Sequence, residues 1–229
     1  MFAWVAVDRL NRMSPTGPLT QQASRIMLVA GALAIAATWR TASSLFGLDV
    51  HRAVSCCAAV YDLAAVSGRG GSGAHVAGPV HASLLVAIGI AFLFWRRLAS
   101  QRVKAGAMVW VGGAVAAAFV LLGGWVLVDW TGPVLYGTLG HRCPMCMFLP
   151  RHGAVGYAAF GLLALVAVEA SSAVAVVLVS RSAPDTVQNA AERARKAWRR
   201  SAIAAVCFLA LATLPPIVWW MHFGVWISG

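Results

Sequence analysis

The sequence predicts an all-α, polytopic integral membrane protein: one domain of five transmembrane helices, N-terminus cytoplasmic and C-terminus periplasmic. Three observations carry this. Of the 229 residues, 60% are hydrophobic and only 11% charged, against roughly 45–50% and about 25% in soluble domains. The apolar residues fall in five long runs, and the mean hydropathy of the chain is +0.77. The basic residues, 18 Lys and Arg against 7 Asp and Glu, gather on alternate connections between those runs. A water-soluble globular chain is excluded, as are disordered and collagen-like ones. A net charge of +11 would suggest nucleic acid in a soluble protein. Here the positive-inside rule accounts for it, and no nucleic-acid partner is expected.

The spans follow from length, because a bilayer core of ~30 Å takes about 20 mostly apolar residues per helix. The candidate runs are 26–48, 78–95, 106–130, 153–180 and 202–227. Met1–Val7 is followed at once by Asp8 and Arg9, with no long apolar core or small-residue cleavage site. No secretory signal is therefore expected, and the first span doubles as the insertion signal. Arg9, Arg12 and Arg25 precede span one. Arg96, Arg97, Arg102 and Lys104 fill the turn after span two, and Arg181, Arg193, Arg195, Lys196, Arg199 and Arg200 lie between spans four and five. Thirteen of the eighteen basic residues thus share one side, the cytoplasmic face of a bacterial inner membrane.

The connections differ in character. The long outer loop, about 49–77, carries the Gly/Ser-rich stretch Ser67–Gly73. The inner 181–200 segment starts at Pro184-Asp185 and reads as a helix with Glu192 and Lys196 one turn apart, its basic run resting on anionic lipid. Trp4, Trp39, Trp95, Trp130, Trp198, Trp219 and Trp220 suit interfacial belts or packing. Gly112-Gly113 and Gly123-Gly124 in span three permit close helix approach.

This orientation places Cys56, Cys57, Cys143 and Cys146 on the outer face. His51, His75, His81, His141, His152 and His222 join them, with Met145, Met147 and Met221; Cys207 alone lies toward the inner end of span five. The basic residues set the orientation without reference to Cys or His, so the clustering is independent information. The sharpest motif is His141-Arg-Cys143-Pro-Met-Cys146, followed by His152. Cys-x-x-Cys spacing lets two sulfurs meet, and proline inside the pair suits the first turn of a helix. A single helix from 144 to 180 would run about 55 Å, beyond a ~30 Å core. The motif therefore sits either on an extension kinked at Pro150 or on a separate short turn capping span four. Cys56 and Cys57 are adjacent, and adjacent cysteines rarely bond each other because the usual Cα separation is not available. Either one of them pairs with a cysteine of the 143–146 motif, or both thiolates hold one soft metal ion.

The arrangement resembles the vitamin K epoxide reductase family, whose bacterial members oxidise periplasmic thiols. That family carries a cysteine pair in the loop after its first span and a Cys-x-x-Cys at the outer end of its fourth. Cys57-Ala-Ala-Val60-Tyr61 is similar to the end of its loop pattern, as is Gly68-Arg69-Gly70, and Cys143 and Cys146 match its Cys-x-x-Cys in span and side. The similarity covers about 45–180. In two respects the chain departs from the pattern: its loop cysteines are adjacent, and its Cys-x-x-Cys is flanked by His141 and His152 and closely followed by Pro150. The resemblance implies a four-helix bundle around a quinone pocket. It also implies that Cys146 passes electrons to quinone and that the loop cysteines relay from a partner, a separate periplasmic thiol protein.

The same residues support a second alternative, a heavy-metal (Cu, Zn or Hg) binding or transport membrane protein. His141, Cys143, Cys146 and His152 make a Cys2His2 set inside twelve residues, which suits tetrahedral zinc; Cu(I) or Hg would favour the sulfurs. A third alternative is a non-catalytic subunit of a membrane complex, with the cysteines in a structural disulfide. Ion translocation needs polar groups at depth, and the candidates are Arg40, Glu169 and the helix break at Pro215-Pro216. For Arg40 the bland alternative is snorkelling to the interface, and for Glu169 a carboxyl held in helix packing. Redox exchange at Cys56, Cys57, Cys143 and Cys146, with quinone as acceptor, is the leading expectation.

Overall fold

The computed structural model describes residues 2–13, 16–46, 77–101, 106–136, 143–181 and 187–224, and among these all regular structure is helical. In chain order the helices are α1 (Phe2–Asn11), α2 (Thr20–Phe46), α3 (Ala77–Gln101), α4 (Gly106–Val126), α5 (Gly132–Tyr136), α6 (Val155–Ser180) and α7 (Val187–Phe223). A π-turn, Leu127–Thr131, joins α4 to α5, and two 3-10 turns, Pro144–Phe148 and Pro150–His152, precede α6. Among the described residues, four stretches are long and apolar enough to cross a membrane: Thr20–Ser43, Val109–Tyr136, Val155–Ser180 and Val187–Phe223. The chain is therefore a multi-pass membrane protein. Within α3 the apolar stretch among the described residues, Ala82–Leu93, is shorter.

The core lies between α3, α4, α6 and α7, where Leu85, Phe92, Phe119, Val166 and Phe208 are buried. Small side chains let these helices close up, as expected where lipid offers no hydrophobic drive. Where α6 meets α7, Ala159, Ala170 and Ala173 of the first and Ala202, Ala204, Ala205 and Ala212 of the second are buried in one core. A Cβ on Gly123 would come within 2.9 Å of Leu163 and Phe208, whereas one on Gly124 would meet nothing within 4 Å. Only the first glycine of that pair makes the close approach. Two edge-to-face ring pairs, Phe92–Trp198 and Phe119–Phe208, both at 5.7 Å, tie α7 to α3 and α4. Ser201 donates to the Val166 carbonyl at 3.2 Å inside the same seam.

The Pro215-Pro216 break is a plain case of donor bookkeeping. Proline at 216 has no N–H, so the Ala212 carbonyl four residues earlier loses its helical partner. The Thr131 hydroxyl, fully buried on the π-turn, donates to it at 2.8 Å. The π-turn aims that hydroxyl: the Gly132 N–H reaches back five residues to Leu127, and Pro133 supplies no N–H to the next carbonyl.

Two features differ from the sequence expectation. The N-terminal residues form a helix of their own, α1, whose Val7 and Leu10 pack with Leu19, Ala23, Val176 and Ala190. Asn11 closes the α1–α2 turn, accepting from the Leu19 N–H at 2.7 Å and donating to Thr20 at 3.1 Å, while Gly17 takes φ +55°. From Val187 the basic 181–200 segment is continuous with the last span, because no breaker interrupts the helix before the two prolines, and Glu192 meets Lys196 at 2.6 Å. α2 stands at the edge, held mainly through α1, with no residue of its apolar window buried.

Candidate functional site

Two X-Pro steps build the segment that carries Cys143 and Cys146. A proline drives the residue before it out of the helical region, and both Cys143 (φ −87°, ψ 112°) and Leu149 (φ −75°, ψ 140°) are extended. Each proline then opens a fresh 3-10 turn. The cysteine motif is therefore a separate short turn capping α6, the second of the two arrangements that the sequence left open. Gly153 (φ +72°) and Ala154 (φ +53°), both left-handed, turn the chain into α6, with Gly153 donating to Pro150 at 2.9 Å and Ala154 to Leu149 at 3.2 Å.

The turn is pressed tightly onto α6. A Cβ on Gly156 would lie 2.9 Å from the Met147 carbonyl carbon, so only glycine permits the approach. Met147 is fully buried. Phe148 stacks on Phe160 at 5.5 Å and meets Tyr157 edge-on at 4.9 Å. From the other side Tyr136, the last residue of α5, donates its hydroxyl to the Cys143 carbonyl at 2.6 Å. Its ring also takes His152 edge-on at 4.9 Å.

The Cys146 N–H donates to the Cys143 carbonyl at 3.2 Å. Such a turn holds its first and fourth Cα atoms within ~7 Å, the range a disulfide spans. Both residues are thiols, but they are not equivalent: Cys143 is half-buried, whereas Cys146 is 5% exposed. The Cys143 thiol and the Arg151 guanidinium both act on the Cys146 thiol. Burial, and then the neighbouring Cys143 thiol, push the Cys146 thiol above its ordinary value, with Arg151 acting in the opposite direction.

Of the residues expected at this site, the structure joins Cys143 and Cys146 and places His152 beside Tyr136. Cys56, Cys57 and His141 lie outside the described residues, as do His51 and His75. Cys207 is exposed on α7. Among the described residues, no three His, Cys, Asp or Glu side chains group as metal ligands do. The sequence reasoning missed Tyr136, Arg151 and Gly156. Arg151 was visible five residues after Cys146, but Tyr136 and Gly156 act through contacts that no spacing announces.

Glu169 and Arg40 do not meet. Glu169, 13% exposed on α6, pairs with Arg200 of α7 at 3.0 Å. This gives the carboxylate a structural partner where α7 passes from its basic to its apolar half.

No known protein family, curated protein or solved structure matches the chain. The class is therefore set by fold and site alone: a multi-pass helical membrane protein with a Cys-x-x-Cys turn braced on the end of a span.

Proposed function

We propose that this protein is a thiol–disulfide oxidoreductase of the bacterial inner membrane, with Cys143 and Cys146 as its redox pair and a quinone as electron acceptor. The single observation that carries this is the closed turn at 143–146, which brings two neighbouring thiols together, one half-buried and one buried. In the oxidised state a partner thiolate attacks the accessible Cys143 sulfur and releases Cys146, forming a mixed disulfide. A second partner thiol then releases Cys143. Partner dithiol becomes partner disulfide, and the pair gains two electrons and two protons. Reoxidation transfers both electrons and both protons to quinone, giving quinol.

Five spans with the N-terminus inside complete the proposal. The distribution of basic residues supports it, and the thiol pair then faces the periplasm. Tyr136, Arg151 and Gly156 are positioning residues: they hold the turn and its sulfurs without exchanging electrons.

The test is quinol formation by the full chain reconstituted in vesicles, supplied with a reduced dithiol peptide and a soluble quinone. Activity lost in Cys143→Ser and in Cys146→Ser but kept in Cys207→Ser supports the assignment. Full activity in the Cys143→Ser/Cys146→Ser double variant overturns it.

A further inference from the structure

In the half of α6 away from the cysteines, α1, α6 and α7 line an open cavity of about 410 Å³, within the ~300–1,000 Å³ typical of small-molecule sites. Arg9 of α1 and Arg193, Lys196 and Arg200 of α7 line it, with Glu169 and Glu192. The two carboxylates are already matched. Glu192 takes Lys196 at 2.6 Å and Glu169 takes Arg200 at 3.0 Å. Arg193 donates to the Met13 thioether at 3.0 Å, a weak acceptor, and its charge is also felt by Glu192. No carboxylate in the described residues pairs with Arg9 or Arg193. Two guanidinium groups from different helices thus line one cavity whose carboxylates, Glu169 and Glu192, hold their ion pairs with Arg200 and Lys196. Guanidinium forks suit phosphate, which they bind in a bidentate, charge-assisted way.

We propose that this cavity binds the phosphate headgroup of an anionic phospholipid from the leaflet on that side of the membrane. Position favours lipid over free phosphate. Arg200 is the last basic residue of α7, and the helix runs apolar from Ser201 onward, so the cavity lies at the polar boundary of the bilayer. Its walls include Val5, Val168 and Val176, and below it Ile203, Val206 and Leu165 are exposed on α7 and α6, a surface for acyl chains. α1 supplies Arg9 and covers the cavity, which gives the N-terminal helix a role beyond packing. Binding would clamp α1 to α7 through the shared phosphate.

The detergent-purified full chain, titrated with dioleoylphosphatidylglycerol, dioleoylphosphatidylcholine or inorganic phosphate and read by native mass spectrometry, tests this. One phosphatidylglycerol per chain is expected, in preference to phosphatidylcholine. Its affinity should fall about tenfold in each of Arg9→Gln and Arg193→Gln and stay unchanged in Arg195→Gln, whose residue does not line the cavity. Equal affinity for both lipids overturns the proposal, as does an equal loss in Arg195→Gln, which would mean diffuse charge attraction. Inorganic phosphate that displaces the lipid at similar concentration assigns the site to a free anion instead. Should Arg9→Gln lose helicity, Arg193→Lys decides: it keeps the charge but not the fork, so several-fold weakening supports the proposal and undiminished binding overturns it.

Discussion

Replacing Thr131 with Val removes a single buried oxygen where the π-turn meets α7. The Ala212 carbonyl then has no donor: Pro216 cannot supply one, and both Thr131 and Ala212 are fully buried. An unsatisfied buried acceptor costs about 1–3 kcal/mol, while interhelical bonds within membranes average ~0.6 and reach ~1.7 kcal/mol. A fully enclosed site belongs at the upper end of the second range, so Thr131→Val should destabilise by about 1–2 kcal/mol. The partner change isolates the cause. Pro216→Ala restores an N–H that bonds Ala212 within α7, so in that background Thr131→Val should cost under ~0.5 kcal/mol, a coupling of about 1 kcal/mol. Reversible unfolding in mixed micelles, followed by tryptophan fluorescence across the four variants, measures this coupling. Equal costs in both backgrounds would refute the account of how the proline break is satisfied.

Three further outcomes follow from the site and its surroundings. Gly156→Ala puts a methyl 2.9 Å from the Met147 backbone, so it should displace the cysteine turn and alter the alkylation rate of Cys146, while Gly124→Ala, which meets nothing within 4 Å, should leave that rate alone. Because the Cys146 pKa is raised, the folded protein holds that proton more tightly than the unfolded chain. The stability this contributes is complete below the ordinary thiol value of 9.0 and is lost as pH rises through the folded value. Unfolding at pH 8 and pH 10 should show it, with the difference reduced in Cys146→Ser; in alkylation at pH 8, Cys143 should react before Cys146. Glu169→Gln breaks an ion pair whose Arg200 partner is 62% exposed, so the loss should stay under ~1 kcal/mol with thiol reactivity unchanged; a large fall in quinol formation would instead point to proton relay through Glu169.

Much of the bundle was legible because lipid imposes a simple rule on sequence: long apolar runs must be helices. The runs at 106–130 and 153–180 correspond to helices within a few residues, and the helical reading of the 181–200 segment holds from Val187 onward. Its fusion with the last span was not legible, because a polar half and an apolar half of one helix look like a loop followed by a span. The α1 helix was hidden by its length: ten residues carry too little hydrophobicity to register as a span, and their burial depends on Val176 and Ala190, far along the chain. At the site, Cys143 and Cys146 were evident from spacing, and the two prolines foretold a break. The Thr131–Ala212 bond joins residues 81 positions apart, and the Glu169–Arg200 pair joins residues 31 apart. Neither leaves a local pattern, since polar side chains find such partners only after the helices have packed.

The central claim, a redox-active pair at Cys143 and Cys146, is tested most directly by counting thiols. Acid-quenched membranes are alkylated with and without prior reductant, and each cysteine is quantified by mass. Cys143 and Cys146 should change together, protected before reduction and both labelled after it, while Cys207 labels equally in either condition. Full labelling of Cys143 and Cys146 without reductant, in protein taken directly from oxidising medium, would contradict the account.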